Sequence, residues 1–285
     1  MTRNPKAFAK LLYADIHFGN ILLQLPSSLD RLSIQEFYRE HGEPRVEPIE
    51  RYDEKPLGSG VPPYATESIW LGRQADKITL VDAQIILSDF GEAFAPLDPK
   101  RIRLGEDCHT PWSFAPPEAN FEPKTPMSFA SDIWTLANIV WCLLGQGPLT
   151  YSFFNNKDEI TFRRIEILGS FPPEWWVKWD ARREYYDEES LQKGVWEGLG
   201  TLDDQFERYI QTPRRKRRMG KFDEREKKAL LAMLRPMLAF RPENRPTVQM
   251  VLRSDWMVNW GLSTFESERY RVEPWLPLTA SMCGL

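Results

Sequence analysis

Two short polar motifs contain the residue types that phosphoryl transfer needs. The first is Asp15-Ile16-His17-Phe18-Gly19-Asn20, in which a carboxylate precedes a carboxamide by five residues. The carboxylate of Asp15 can orient an attacking hydroxyl and accept its proton, and the amide oxygen of Asn20 is a suitable ligand for Mg2+. Because this spacing often occurs by chance, the first motif is a weak signal when it stands alone.

The second motif is Asp89-Phe90-Gly91, which follows the apolar run Ile85-Ile86-Leu87. A buried strand is predicted to end at Asp89, whose carboxylate can chelate a magnesium ion that bridges phosphates. Phe90 can pack inward, and Gly91 allows the chain to turn away. A metal-binding carboxylate that follows the first motif in this order makes the phosphoryl-transfer interpretation much stronger.

Three more motifs follow these two along the chain. They are Thr110-Pro111-Trp112-Ser113-Phe114-Ala115-Pro116-Pro117-Glu118, Ser131-Asp132-Ile133-Trp134 and Arg241-Pro242-Glu243-Asn244-Arg245-Pro246. Asp132 opens an apolar helix, so its carboxylate is expected to accept backbone N–H groups of the Asp15 loop. Arg245 is expected to form an ion pair with Glu118.

Five motifs in this order resemble the C-terminal lobe of a eukaryotic protein kinase, and the resemblance covers about residues 12–260. It implies a serine/threonine kinase that uses ATP and Mg2+ to phosphorylate a protein substrate. The implied fold class is mainly α, a helical bundle with short β-hairpins that lacks the β-rich N-terminal lobe of those kinases. One truncated kinase domain over residues 1–285 is expected, with insertions at about 26–78 and 185–222.

The resemblance also implies a role for individual residues. Asp15 would be the catalytic base, and His17 would be the catalytic-loop residue in the place of the lysine that touches the transferred phosphate. Asn20 and Asp89 would bind the metal, and both would bind the nucleotide together with Leu22 in the floor of the adenine site. A neutral imidazole is a weaker phosphate partner than an ammonium, so slow transfer is expected. A packing role for His17 is an equal alternative.

The activation-segment positions depart from the kinase pattern. Tyr13-Ala14 stands where those kinases have His-Arg or His-Thr, which predicts no switching by a phosphorylated activation loop. Thr110 lies one residue upstream of the expected threonine, and Pro111 occupies that position.

The largest departure concerns the nucleotide-binding part of the pattern. No G-x-G-x-x-G occurs in the sequence, and the residues before Asp15 leave no room for the strand that carries the ATP-binding lysine. We therefore expect exposed apolar surface where an N-terminal lobe would pack. By itself, this chain is expected to be inactive and to have no measurable ATP affinity.

A narrower resemblance concerns the SR-protein kinases. The long spacer between Asn20 and Asp89 looks like an insertion that those kinases carry at this point. The segment 165–175 is similar to a segment of the wider group that also includes the MAP kinases. This resemblance implies that the acceptor is a serine in an Arg/Ser-rich protein segment.

Two other functions stay open. One is an inactive kinase remnant, or pseudokinase, that acts as a binding module. The other is a small-molecule phosphotransferase, because the first motif also resembles the loop of aminoglycoside and choline kinases, in which His is common at this position. Those enzymes lack the Pro-Pro-Glu motif, the Ser-Asp-Ile-Trp helix and the distant arginine, all of which are present here, so this alternative ranks lowest.

Composition narrows the remaining classes of function. A net charge of −4 gives no sign of direct nucleic-acid binding, and the basic block at 214–218 is predicted to be a solvated loop rather than a nuclear localisation signal. Three cysteines and the lack of a signal peptide favour an intracellular protein, cytoplasmic or nuclear. The longest apolar run, 133–144, is too short to span a bilayer, so no membrane partner is expected.

Mostly helical elements are predicted to position the motifs. Short buried strands are predicted at 21–25 and within 78–88. Helices are predicted at 28–40, 129–144, 158–168, 223–238 and 248–260, the fourth of them capped by Asp223. The tryptophans at 175, 176 and 179 are predicted to pack within the protein, because aromatic side chains dominate buried area.

Overall fold

The computed structural model describes residues 11–25, 28–72, 77–80, 82–152, 156–187, 189 and 199–264. These residues are mainly helical with two small sheets, so the helical fold class predicted from the sequence is confirmed. They form two compact units: a large unit, Met1–Leu22 with Leu87–Leu285, and a small unit, Leu23–Ile86.

The strands are β1 (Ile21–Leu23), β2 (Val46–Pro48), β3 (Tyr64–Thr66) and β4 (Ile85–Leu87). The helices are α1 (Ile34–His41), α2 (Pro117–Phe121), α3 (Phe129–Leu144), α4 (Lys157–Leu168), α5 (Pro173–Lys178), α6 (Arg182–Tyr185), α7 (Leu202–Phe206), α8 (Thr212–Lys216), α9 (Glu224–Met237) and α10 (Val248–Leu252). Short 3-10 turns lie at Phe18–Asn20, Leu29–Arg31, Pro99–Arg101, Gly105–Asp107 and Pro242–Asn244, and π-helical turns at Glu207–Gln211 and Met257–Gly261.

The small unit contains α1 and the antiparallel hairpin of β2 and β3, in which Val46 faces Thr66. Ser33 and Glu36 form a capping box at the start of α1, which explains why the helix begins there rather than at residue 28. None of the described residues of this unit is buried, so local capping and hairpin hydrogen bonds are its main stabilisation. The unit extends beyond the predicted insertion of 26–78 at both ends.

The strands predicted at 21–25 and within 78–88 are present, but the prediction that they are buried was wrong. The strands β1 and β4 are three residues long and pair with each other, and all their side chains except that of Ile21 are exposed, with Leu22 at 47% and Leu87 at 46%. Within the described residues this sheet has two strands, and a sheet of that size has open faces and edges. Apolar composition alone did not reveal whether another layer covers them.

The hydrophobic core of the large unit is built around α3 and α9. Trp134 and Trp141 of α3 and Leu230 and Leu234 of α9 have almost no exposed surface. The helix α3 has the predicted bounds, and Asp223 caps α9 by accepting a hydrogen bond from the Glu226 N–H at 2.8 Å, as predicted. The predicted packing of the tryptophans at 175 and 179 is confirmed, because both are buried in the same core.

The second predicted insertion, 185–222, contributes to this core. Leu202, Phe206 and Ile210 are completely buried, and their spacing of four residues places them on one face of the helical segment that starts at α7. That periodicity was present in the sequence but was obscured by the surrounding charged residues. Residues 188 and 190–198 of this insertion lie outside the described part of the chain.

The last predicted helix, 248–260, is interrupted. The helix α10 ends at Leu252, and a π-helical turn follows at Met257–Gly261. The hydroxyl of Ser254 accepts a hydrogen bond from the Met257 N–H at 3.4 Å, so Ser254 starts a new helical segment instead of continuing the first. Within the described residues, none of the helices has the length and apolar character required to cross a membrane.

Candidate functional site

The loop that carries Asp15 is attached to the start of α3. The Asp132 carboxylate accepts hydrogen bonds from the backbone N–H groups of Tyr13 at 2.8 Å and Ala14 at 3.0 Å. This is the contact expected from the sequence. Leu12 adds a second attachment, because it forms a backbone bridge with Phe94 through two hydrogen bonds of 2.8 and 3.0 Å. The backbone just before Asp15 is therefore fixed from two sides.

Ala14 adopts a backbone conformation that is unusual for a residue with a side chain. Its φ is 67°, in the left-handed region, and such strain commonly occurs at functional sites. The Thr110 hydroxyl donates a hydrogen bond of 2.8 Å to the Ala14 carbonyl oxygen. The sequence comparison treated Thr110 as displaced by one residue and did not predict this contact. Thr110 nevertheless connects the segment that precedes Glu118 with the Asp15 loop.

Asp15, His17 and Asn20 lie together in the loop. The Asn20 side-chain Nδ2 donates to the Asp15 carbonyl oxygen at 3.1 Å and to its Oδ2 at 3.4 Å. His17 Nδ1 accepts a hydrogen bond from the Gly19 N–H at 3.0 Å, and His17 Nε2 lies 3.4 Å from Asp15 Oδ2. In the neutral imidazole, this pattern places the proton on Nε2, the nitrogen that faces Asp15. His17 is half-buried beside the carboxylate rather than inside a hydrophobic cluster.

The second motif is joined to the first through the backbone of Asn20. The Ser88 N–H donates to the Asn20 carbonyl oxygen at 2.9 Å, which places the following residue, Asp89, next to the Asp15 loop. Asp89 is exposed and has a φ of 55°, and its Oδ1 accepts a hydrogen bond from the Gly91 N–H at 3.3 Å. The fold thus brings the two motifs together, although Asn20 and Ser88 are 68 residues apart in the sequence.

Tyr13 lies between the two motifs, and the pKa of its phenol depends on the charged groups around them. Its hydroxyl donates to the Ser88 carbonyl oxygen, and its ring meets the Phe90 ring edge-on with centroids 5.1 Å apart. Burial, followed by the negative charges of Asp89, Asp15 and Asp132, raises the pKa of the Tyr13 phenol. Three carboxylates therefore act on one position, which makes the surroundings favourable for cations.

The donor atoms at this site fit a hydrated magnesium ion with phosphate ligands. Within the described residues, Asp15 Oδ1 is buried and has no hydrogen-bond partner. Because the Asn20 nitrogen is bonded to Asp15, its amide oxygen is the atom that would be available to a cation, and the exposed Asp89 carboxylate would be the second protein ligand. Mg2+ typically takes one or two protein ligands and completes its shell with water and phosphate. In the described part of the chain, no group of three or more His, Cys, Asp or Glu is arranged to hold a metal ion.

Apolar side chains are exposed close to these polar groups in the sequence. Phe18, Leu22, Leu87 and Phe90 are all between 40% and 47% exposed. Exposed apolar surface was expected from the sequence. Leu22 is accessible to a ligand, and its role in the floor of an adenine site stays a prediction.

The predicted ion pair between Glu118 and Arg245 is present and buried. Arg245 Nη1 donates to Glu118 Oε1 at 2.8 Å, and Nη2 donates to Oε2 at 2.6 Å. The remaining N–H groups of this guanidinium donate to the backbone carbonyl oxygens of Ala130, Ala239 and Phe240. All five donors are used, so the two distant motifs are joined by a fully satisfied bidentate pair.

The attachment through Asp132 has an expected pH signature. Burial raises the pKa of the Asp132 carboxyl from 3.8 to about 6, although hydrogen bonds from Tyr13 and Ala14 oppose the shift. Because the folded-state pKa is above the unfolded value, this group contributes stability at low pH that is lost as the pH rises through about 6. We compare the free energy of unfolding of the wild type with that of Asp132→Asn. The wild-type value minus the variant value is expected to fall by about 2 kcal/mol between pH 4.5 and 7.5.

Urea unfolding of both proteins at the two pH values measures this difference, and all other titrating groups cancel in the comparison. A difference that is constant with pH, or that grows as the pH rises, would contradict the raised pKa of Asp132.

No protein-family profile matches the chain, and no curated protein sequence has a significant match to it.

Proposed function

We propose that the chain forms the substrate-binding and catalytic lobe of a serine/threonine protein kinase, which transfers a phosphoryl group from ATP to a protein hydroxyl. The observation that carries this proposal is the Asp15 carboxylate. Asn20 holds it through a hydrogen bond to Oδ2, and 17% of the Asp15 side chain remains exposed. A carboxylate that is fixed in place and still partly accessible is suited to orienting a hydroxyl and taking its proton.

The side chains around Asp15 have separate parts in this proposal. Asn20 holds the Asp15 carboxylate through its amide nitrogen, while its amide oxygen and the Asp89 carboxylate are available to hold Mg2+. Leu22 offers apolar surface to the adenine ring. Mg2+ and ATP supply the phosphoryl group and neutralise phosphate charge when they are bound. Asp132 and Thr110 act indirectly, since they fix the backbone that precedes Asp15.

The charge around the site supports a basic acceptor segment. After burial, the carboxylates of Asp89, Asp15 and Asp132 all raise the pKa of the Tyr13 phenol, so negatively charged groups lie near the site. An Arg/Ser-rich protein segment, which the resemblance to SR-protein kinases implies, would bring positive charge to this region. We therefore propose a serine within such a segment as the acceptor.

The test is a phosphorylation assay with labelled ATP, Mg2+ and a synthetic Arg-Ser repeat peptide on the full-length protein, which here means the product of the complete coding sequence that contains this chain. We expect label on serine, a requirement for Mg2+, and loss of transfer in Asp89→Ala. The absence of transfer to this peptide and to a general basic protein would overturn the proposal. Transfer to choline or a sugar, without transfer to either protein substrate, would instead support a small-molecule phosphotransferase.

Replacing His17 with lysine is expected to increase the activity. Because a lysine ammonium binds the transferred phosphate more strongly than a neutral imidazole, His17→Lys is expected to raise kcat by about 10-fold. The matched control is His17→Gln, which is neutral and is expected to give no increase. Steady-state assays of the three proteins decide between the two roles, since a packing role predicts an unchanged or lower kcat for His17→Lys.

An inactive remnant that serves as a binding module is the second candidate. The observation in its favour is the set of exposed apolar side chains in and beside the two motifs, Phe18, Leu22 and Phe90. Titration calorimetry with Mg2+–ATP distinguishes the two functions in the full-length protein. Micromolar binding of the nucleotide supports the kinase, and no heat of binding together with no transfer supports the remnant.

A further inference from the structure

Arg164 is a buried cation that the proposed reaction does not use. It lies on α4, and 5% of its surface is exposed. Its Nη2 donates hydrogen bonds to the carbonyl oxygens of Trp112 at 2.7 Å and Ala115 at 2.9 Å. The two acceptors are about 50 residues away in sequence and lie in the segment that precedes Glu118.

Among the described residues, Arg164 has no carboxylate of its own to balance its charge. Glu118 is bonded in a bidentate manner by Arg245, so two guanidinium groups lie in this region with one carboxylate. Burial lowers the pKa of Arg164 to about 9, Glu118 raises it, and Arg245 lowers it further. Both cations lie against the Trp134 ring, with the Arg164 Cζ 5.0 Å and the Arg245 Cζ 5.1 Å from its centroid.

The segment 112–115 has a defined shape that these contacts hold. The N–H groups of Phe114 and Ala115 both donate to the Pro111 carbonyl oxygen at 2.8 Å, which forms a tight turn. Arg164 binds the carbonyl groups on either side of Ser113 and Phe114. On the upstream side, Thr110 connects this turn to the Ala14 carbonyl, directly before the proposed catalytic base.

We infer that Arg164 is a positioning residue that fixes the 112–115 turn as the part of the site that receives the acceptor segment of the protein substrate. This inference rests on the proposed kinase function. A buried cation without its own carboxylate is unfavourable for stability, and an apolar side chain of similar volume would fill the same space at lower cost. Unlike such an apolar side chain, the guanidinium provides two directed hydrogen bonds to carbonyl groups of the turn.

Arg163 offers a matched control on the same helix. Its guanidinium bonds to Glu159, one helical turn earlier, and 29% of its side chain is exposed. Replacing Arg163 with Met therefore removes the same chemical group from α4 without touching the 112–115 turn. Arg164→Met removes both carbonyl contacts, and Arg164→Lys keeps a charged donor that can restore one of them.

Hydrogen exchange on the chain tests the positioning role without any need for activity. In Arg164→Met we expect the N–H groups of Phe114 and Ala115 to exchange at least about 10-fold faster, with no change in α3 and α9. Arg164→Lys should be intermediate, and Arg163→Met should match the wild type. Unchanged exchange in the turn overturns the inference. Uniformly faster exchange throughout the large unit in both Arg164 variants also overturns it, because that result assigns Arg164 to general stability.

Kinetics on the full-length protein test the link to the substrate. For Arg164→Met we expect KM for the Arg-Ser repeat peptide to rise by about 10-fold, while KM for ATP and kcat change by less than about two-fold. Arg164→Lys should recover part of the affinity. Equal peptide KM values for Arg164→Met and Arg163→Met would overturn the assignment. A wild type without transfer contradicts the proposed function, whereas faster exchange in the turn would still support the local role of Arg164.

Discussion

Replacing Arg245 with methionine is expected to lower the free energy of unfolding of the large unit by about 3–5 kcal/mol. The side chain of Arg245 is completely buried, and its five N–H donors bind the Glu118 carboxylate and three backbone carbonyl groups. The replacement leaves Glu118 buried beside an apolar side chain, and an unpaired buried charge is strongly unfavourable. Urea unfolding followed by tryptophan fluorescence measures the change, because Trp134 lies against the pair.

Arg241 provides the control for this replacement, because it belongs to the same motif but lies nearer the surface. It pairs with Glu174 and Glu243, and 38% of its side chain is exposed. Arg241→Met is expected to change stability by less than about 1 kcal/mol. The double replacement of Glu118 and Arg245 by Met should be more stable than Arg245→Met alone, since no carboxylate is left unpaired. A loss below about 1 kcal/mol in Arg245→Met would contradict the structural role of the pair.

Replacing Asp15 with asparagine is expected to lower kcat by a factor of about 10² to 10⁴. Asparagine has the same shape as aspartate but cannot accept the proton of the attacking hydroxyl. Because Asp15 Oδ1 has no hydrogen-bond partner among the described residues, the fold loses little from the change. We therefore expect the unfolding curve to be unchanged while phosphorylation of the peptide nearly disappears.

Glu106 is a suitable control for the loss of a carboxylate. It pairs with Lys124 at the surface, so Glu106→Gln is expected to retain activity within about two-fold. The assay compares initial rates of peptide phosphorylation for the three full-length proteins at saturating ATP. Equal rates for wild type and Asp15→Asn would show that Asp15 is not the catalytic base. That conclusion would hold whatever the fold of the chain.

The helices of the core were the part of the fold that local pattern predicted best. The helix α3 has its predicted bounds and ends where its apolar run ends, and α9 follows the predicted Asp223 cap. Both signals act over one or two helical turns, so they do not depend on the rest of the chain. The strand β4 was identified as a strand for the same reason, but its exposure was not, because burial depends on which layers pack against it.

Some contacts within the candidate site were predicted from the sequence, and others were not. The pairing of Glu118 with Arg245 and the attachment of the loop to Asp132 follow from the resemblance of the motifs, and both are present. The contact of Thr110 with Ala14 was not predicted, because a comparison of positions treats a one-residue offset as a loss. The Thr110 hydroxyl reaches the Ala14 carbonyl oxygen at 2.8 Å despite that offset.

The sequence by itself determined the mainly helical class of the protein and the polar residues that form its candidate site. It did so because helix periodicity, caps and short motifs are encoded by residues that are near one another in the chain. Only the tertiary structure decided that Leu202, Phe206 and Ile210 belong to the main core, and that Arg164 holds the 112–115 turn. Those contacts join residues that are far apart in sequence, so their partners exist only after the chain has folded.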